Sequence, residues 1–422
     1  MIDTEVEEST EKLEKEMADP VAPSPPSGVH LKAGPMCDHL HKRSVPYSTS
    51  LNPLSYIGMA WTGTSPRDAI DSEHALLSRY VKTPFELGRV PINMSSIGLG
   101  KQYINMISFN PDVEPPKSEE DPHPIVWLHG AGAGLGFAYR NYDTLCNLGG
   151  VRRRVFGVDW LGQAGSSRPS YPYGWGSRKP AWMLSEAQQV DAAITFSVSS
   201  LEAWRAALGI DRFDLVAHSM GGYLATQYAM AYPHRVRRLV LVSPVGWAAK
   251  PEGELARGRA GGLIGALWDS GLGNFGILRT FGRCASATAK GVLIGRTGVR
   301  DADEAALLTS YFWSHATAEP ISSEKAINYL LEPYFSPAPF GFYAKRPVST
   351  EPAERLASLP PTTLLYGSHD LHYIETMPDA VSRVAAASPH GRVAMHFVRR
   401  SDHHLYIDNP EEFHQRVEEA LA

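Results

Sequence analysis

The sequence predicts an α/β protein with a mostly parallel sheet flanked by helices, and three observations point there. From residue 124 onward, short apolar runs alternate with glycine-rich turns and helical stretches, the pattern of βα units whose strands are buried on both faces. The expected strands are residues 125–129, 155–160, 213–218, 236–243, 362–366 and 393–398. A serine stands where the third of these runs gives way to a helical stretch, in Leu215-Val-Ala-His-Ser-Met-Gly-Gly222. Residues 246–346 separate the fourth run from the fifth, too long a stretch for a plain crossover, and are expected to form an inserted, mainly helical cap.

The remaining elements follow in chain order. Residues 1–50 join a charged run to Pro20-Val-Ala-Pro-Ser-Pro-Pro-Ser27. Such a composition buries too little apolar surface to offset the entropy of ordering, so an acidic, Pro-rich disordered tail is expected. Between residues 67 and 87, Ile70, Leu76, Leu77, Tyr80 and Val81 recur at near-helical spacing and predict a helix. Residues 90–94 and 102–109 flank the turn Ile97-Gly-Leu-Gly100 and predict a β-hairpin. The catalytic core is then expected in two parts, 51–245 and 347–422, on either side of the cap; no internal repeat is visible.

Bulk properties exclude several classes. The chain has 422 residues, 43% of them hydrophobic, enough for one large core. A formal net charge of −5 is no reason to expect a nucleic acid as partner. Cys37, Cys146 and Cys284 form no CxxC pair, so neither a disulfide framework nor a zinc site is suggested, and a reducing compartment is the simplest expectation. The start, Met-Ile-Asp-Thr-Glu-Val-Glu-Glu, lacks the basic and apolar regions of a secretory signal and is too acidic for a mitochondrial transit peptide. The most apolar stretch, residues 261–278, is interrupted by Asp269, Asn274 and six glycines, so any membrane contact is expected to be peripheral.

The chemistry centres on Ser219. A serine hydroxyl is a poor nucleophile near neutral pH, so acyl chemistry needs a base within hydrogen-bond reach and a third group to orient the base. Small residues at Ala217, Gly221 and Gly222 let the strand before Ser219 and the helix after it approach closely, which holds the hydroxyl exposed on a strained turn, as in the α/β-hydrolase fold. Ala217 stands where that motif usually has glycine. The oxyanion of acyl transfer needs preorganised N–H donors, and the backbones of Met220 and Ala131 fit those roles. Ala131 lies in Ile125-Val-Trp-Leu-His-Gly-Ala-Gly-Ala-Gly-Leu-Gly136. A phosphate loop is the competing interpretation of these glycines, but no GKS/T follows and no GxGxxG frame leads to an acidic residue.

An acid after one late strand and a histidine after another complete the expected order. Leu364-Leu-Tyr-Gly-Ser-His-Asp370 supplies Asp370, and His396-Phe-Val-Arg-Arg-Ser-Asp-His-His404 supplies His403. From the residues alone, His404 competes for the base and Asp402 for the acid. The loop Asp159-Trp-Leu-Gly-Gln-Ala-Gly-Ser-Ser-Arg-Pro169 has the character of a structural turn. Asp408 belongs to the start of a terminal helix, with Asn409 as N-cap and Pro410 at its first position.

With these motifs in hand, roughly residues 70–415 resemble the lipid-handling branch of α/β-hydrolases. That branch includes the lipid-droplet co-activator and N-acyl-phospholipid lipase pair of animals, the plant acyltransferase/lipase relative and the fungal cardiolipin deacylases. The matching stretches are Leu76-Leu-Ser-Arg-Tyr-Val-Lys-Thr-Pro84, His129-Gly-Ala-Gly132, Phe137-Ala-Tyr-Arg-Asn-Tyr-Asp143, Asp159-Trp-Leu-Gly-Gln-Ala-Gly-Ser-Ser167, His218-Ser-Met-Gly-Gly-Tyr223, Tyr366-Gly-Ser-His-Asp370 and His403-His-Leu-Tyr-Ile-Asp-Asn-Pro410. The resemblance implies that His403, the first histidine of the last motif, is the base. The animal co-activator carries asparagine at the position of Ser219, so its non-catalytic role is not the one implied. After Asp370 the chain departs from the family, with Leu371-His-Tyr373 replacing a tryptophan-containing segment. The HxxxxD spacing from His403 to Asp408, often taken for an acyltransferase signature, is not independent evidence here, because His403 already serves the triad.

The cap suggests the substrate. Leu263, Ile264, Leu267, Trp268, Phe275, Ile277, Leu278 and Phe281 supply apolar bulk for an acyl pocket, for a membrane surface or for the cap's own packing. Residues 246–300 carry eight Lys/Arg against three acidic residues, a basic segment on a slightly acidic protein, and each such residue near an anionic membrane surface contributes roughly 1 kcal/mol of attraction. The expected function is therefore deacylation of a phospholipid or lysophospholipid, cardiolipin included, through an acyl-Ser219 intermediate. Acyl transfer to lysophosphatidic acid is the alternative within enzymes, and a non-catalytic lipase-regulating protein the alternative outside them. A hydrolase of small soluble esters is a third; haloalkane and epoxide hydrolases would need aspartate at 219. No cofactor is expected, and the expected location is cytoplasmic at the periphery of membranes or lipid droplets, or mitochondrial.

Overall fold

The computed structural model describes residues 53–171, 183–250, 273–318, 320–334, 341–370, 373, 376–388 and 392–422; the tail expected over 1–50 and residues Leu371 and His372 lie outside them. Helices α1 (Pro53–Thr62) and α2 (Pro66–Tyr80) come first. The second begins where Ser65 accepts the Asp68 N–H while the Asp68 carboxylate accepts the Ser65 N–H, with Pro66 as first helical residue. The helix expected to reach residue 87 ends at Tyr80. Pro84 disfavours helical geometry at Thr83, and the Asp143 carboxylate accepts the N–H groups of Lys82 and Thr83, which a continuing helix would need. The chain then enters β1 (Phe85–Asn93), longer than the expected 90–94, which pairs antiparallel with β2 (Lys101–Phe109).

The main sheet continues with β3 (Ile125–Leu128), β4 (Val155–Val158), β5 (Phe213–His218) and β6 (Val236–Val242), while β7 (Leu331–Tyr334) and β8 (Gly341–Ala344) form a separate two-stranded sheet. Strands β9 (Thr362–Gly367) and β10 (Val393–Val398) complete the main sheet, whose order is β1-β2-β4-β3-β5-β6-β9-β10. Every pairing from β4 to β10 is parallel, and only β2 runs against the rest, since it is antiparallel to both of its neighbours, β1 and β4. Strands β3 and β5 are buried along their whole length, which is why their sequences are continuous apolar runs. The order reverses around β4-β3-β5, and in parallel α/β sheets ligands bind beyond the carboxyl ends of strands at such a reversal.

The longer helices flanking the sheet are α3 (Glu186–Ala207), α4 (Met220–Ala231), α5 (Gly273–Phe281), α6 (Ser286–Thr297), α7 (Ala302–Ala316), α8 (Met377–Ala387) and α9 (Pro410–Leu421). Under the sheet, Trp127 of β3 meets Tyr406 and Phe413, with ring centroids 5.0 and 6.3 Å apart. Helices α5, α6 and α7 and the β7–β8 pair all lie between β6 and β9 in the chain. Of these, α7 packs along α2. Trp313 donates to the Thr62 carbonyl, and the hydroxyls of Thr64 and Thr317 lie 2.9 Å apart. No helix among the described residues is long and apolar enough to cross a membrane.

Candidate active site

Ser219 occupies the junction of β5 and α4 with φ 54° and ψ −123°. A non-glycine residue enters that region at a cost of roughly 1–3 kcal/mol and stays only where its surroundings over-determine it. Here the Ser219 N–H donates to the Val242 carbonyl of the neighbouring strand, and the Ser219 carbonyl accepts the Gly222 N–H, both at 2.9 Å. Close approach is the second requirement. A Cβ on Gly221 would stand 2.2 Å from the His129 carbonyl oxygen, so only glycine lets α4 start against the loop after β3. A Cβ on Gly130 would stand 2.8 Å from the Cβ of Ser219, so that loop runs directly beside the serine. Ala217 is fully buried within β5, and its methyl, unusual for the motif, is accommodated there.

The loop after β10 brings in the histidine. His403 Nε2 lies 3.0 Å from Ser219 Oγ, and His403 Nδ1 lies 3.2 Å from Asp370 Oδ1, at the end of β9. A carboxylate only accepts, so Nδ1 carries the ring proton and the Nε2 lone pair faces the serine hydroxyl. The competitor His404 packs its ring against Phe137 and His218, with centroids 6.0 and 5.0 Å apart, while His403 makes the serine contact. Asp402 accepts the His403 N–H at 2.8 Å, and its own N–H donates to Asp408 Oδ2 at 2.9 Å. Both acidic residues thus brace the backbone that presents the imidazole, and the HxxxxD aspartate is occupied in that brace. His218 Nε2 donates to the His403 carbonyl at 3.0 Å and holds the loop from the sheet side.

Burial holds the His403 imidazole well below its ordinary value, with the His218 ring and the Arg296 guanidinium of α6 adding to the effect. The Asp370 carboxylate opposes this, since a nearby opposite charge favours the protonated ring. Burial likewise lowers His218 and His129 to about 4, so both are neutral near pH 7. A base must be neutral to accept a proton, so the acid limb of kcat/KM is expected below pH 6.5. Removing the Arg296 charge relieves part of the penalty on imidazolium. Arg296→Met is therefore expected to move that limb upward, which a pH profile on a soluble ester checks; a limb that stays put or moves down contradicts this electrostatic account.

The two expected oxyanion donors flank the serine. Among the described residues, neither the Met220 nor the Ala131 N–H has a hydrogen-bond acceptor, as befits the first turn of a helix and a loop beside it. The loop's base is held by His129, whose Nδ1 donates to the Gly130 carbonyl at 2.8 Å while Nε2 accepts the Trp160 N–H at 3.1 Å. The turn after β4 is structural. The Asp159 carboxylate, fully buried, accepts from the Leu135 N–H, the Gly165 N–H and the Asn105 amide. Burial and neighbouring Glu73 push its carboxyl up to about 6. Arg168 and Arg279 both pair with Glu324, which ties this turn to α5.

Of the apolar cap residues singled out above, Phe275 is buried and lies 6.5 Å, centroid to centroid, from Phe312, whereas Phe281 is exposed. Leu263, Ile264, Leu267 and Trp268 lie outside the described residues. Asn409 caps α9 as expected, its side chain accepting the Glu412 N–H. Among the described residues, no group of three or more His, Cys, Asp or Glu side chains is placed to hold a metal ion. The sequence assigns no role to His218 or Arg296. His218 was visible as the end of a strand and the start of a matching stretch, and Arg296 sits in a helix far along the chain from the His403 imidazole that its charge affects.

A strained serine between a parallel strand and a helix, faced by a histidine and an aspartate from later strand ends, is the arrangement of the α/β hydrolases, and a family profile described as alpha/beta hydrolase fold matches residues 123–261. The chain belongs to the α/β-hydrolase family. It is 29% identical over 381 residues to a 1-acylglycerol-3-phosphate O-acyltransferase of Arabidopsis thaliana, covering 85% of this chain and 81% of the relative. Over 306 residues it is 30% identical to a (lyso)-N-acylphosphatidylethanolamine lipase of Homo sapiens, covering 71% of this chain and 80% of that one. Among solved structures, a carboxylesterase from Bacillus subtilis shares the fold with a TM-score of 0.50 at 20% identity, over 86% of this chain and 98% of its own.

Proposed function

We propose that this protein is a serine hydrolase that deacylates phospholipids or lysophospholipids, with Ser219 as nucleophile, His403 as base and then acid, and Asp370 orienting the imidazole. The carrying observation is the unbroken relay from Ser219 Oγ through both ring nitrogens of His403 to Asp370 Oδ1. As the serine oxygen bonds to the ester carbonyl carbon, its proton passes to Nε2, and the oxyanion forms beside the N–H groups of Ala131 and Met220. The imidazolium then protonates the departing alkoxide, leaving an acyl-serine. Water, deprotonated by the same nitrogen, attacks that acyl group and regenerates the hydroxyl as the fatty acid departs.

The lipid assignment draws on the names of the relatives and on the basic, apolar segment between β6 and β9. In this reading the protein works at the periphery of a membrane or lipid droplet. Transfer of the acyl group to lysophosphatidic acid is the second reading, favoured by the acyltransferase name of the plant relative and not by Asp408, which is engaged with the Asp402 backbone.

Incubating purified protein with a mixed lipid extract and following which species disappear by mass spectrometry is the decisive measurement. Loss of phospholipid or lysophospholipid with release of fatty acid is expected, together with labelling of Ser219 by a fluorophosphonate. Full deacylation by Ser219→Ala would end the triad assignment. Activity confined to short soluble esters would end the lipid assignment, and phosphatidic acid appearing from lysophosphatidic acid would favour transfer.

A further inference from the structure

The glycines after β3 face aromatic side chains of the segment between β6 and β9. A Cβ on Gly132 would stand 2.0 Å from Phe275 Cζ of α5; one on Gly134, 2.1 Å from the Tyr311 hydroxyl of α7; one on Gly136, 2.7 Å from Tyr311 Cζ. Side chains at these three positions would collide with aromatic residues from a distant part of the chain, which is what glycine there avoids. Contact is accompanied by hydrogen bonding: the Gly136 N–H donates to the Tyr311 hydroxyl at 3.0 Å, next to the Leu135 N–H that donates to Asp159. Tyr311 is fully buried, with its ring 4.2 Å from that of His315 one turn later.

We propose that Tyr311 is a positioning residue for the oxyanion loop, fixing through Gly136 the backbone that carries the Ala131 N–H. The proposal rests on the serine-hydrolase reading given above. Helix α7 is well anchored for such a role. Glu304 near its start accepts from the Tyr139 hydroxyl and from Nε and Nη2 of Arg140, residues that follow directly on the same loop, and its far end is bonded to the α1–α2 junction through Trp313 and Thr317. A donor misplaced by about 1 Å costs on the order of 100-fold in rate.

The test uses Tyr311→Phe in the full chain, which removes the oxygen facing Gly134 and keeps the ring against Gly136. On a soluble ester, kcat is expected to fall on the order of 10- to 100-fold with KM unchanged. The inhibition constant of a long-chain trifluoromethyl ketone, whose serine adduct places an oxyanion in the hole, should rise by the same factor. Binding of a non-hydrolysable ether analogue should stay as it was. If Tyr311→Phe fails to fold, Gly134→Ala displaces the same hydroxyl from the loop side and should give the same pattern. An unchanged kcat, or a lower kcat with an unmoved ketone constant, overturns the proposal. Turnover that survives Ser219→Ala overturns the underlying reading instead, and the proposal with it.

Discussion

His403→Ala is expected to lower kcat by on the order of 10⁴-fold or more, while His404→Ala stays within about tenfold of the parent. The contrast follows from adjacent residues doing different work. His403 Nε2 is the nitrogen 3.0 Å from Ser219 Oγ, whereas His404 packs among Phe137, His218 and Tyr406. Loss of the base leaves a hydroxyl with no proton acceptor. Loss of a packing ring leaves the relay in place, and its effect belongs in thermal stability. The measurement is steady-state turnover of a soluble ester by each variant, with melting temperatures alongside. Comparable losses in kcat for the two would mean that the loop presents them interchangeably, contrary to the geometry.

Gly221→Ala is expected to destabilise the fold by about 3 kcal/mol or to prevent it from forming, because the added methyl meets a backbone carbonyl 2.2 Å away that cannot rotate aside. Any relief must come from moving α4 away from the loop after β3, which also separates the Met220 and Ala131 N–H groups proposed as oxyanion donors. A matched control is Gly291→Ala in α6, where nothing lies within 4 Å of the new Cβ. There the loss of glycine from a helix interior should stabilise by about 1 kcal/mol. Urea denaturation of both variants reads the difference. Equal stabilities would mean that the β5–α4 junction yields more readily than its packing implies.

Much of the fold was legible because parallel strands buried on both faces are continuous apolar runs. Residues 213–218 and 393–398 were bounded as the structure has them. Errors collected where a side chain captures backbone groups. The helix expected to run to residue 87 stops at Tyr80, with Asp143, some sixty positions along the chain, taking the N–H groups of Lys82 and Thr83. Periodicity reports which residues face a core, but not which distant carboxylate will accept a hydrogen bond.

The candidate site divides in the same way. Sequence alone determined the order of serine, aspartate and histidine and the place of each at a strand end, because the hydroxyl must be exposed by small neighbours and its partners must follow buried runs. From the residues alone it left His404 as a competitor to His403, which the family resemblance preferred, and the glycines of 130–136 without a physical reason beyond backbone freedom. The tertiary structure bears on both, with the His403 ring set against Ser219. The brace of Asp402, Asp408 and His218 turns His403 toward Ser219. The rings of Phe275 and Tyr311, arriving from well over a hundred residues away, occupy the space that side chains in the loop would need. Local spacing encodes which groups are available; packing between distant segments selects which of them meet.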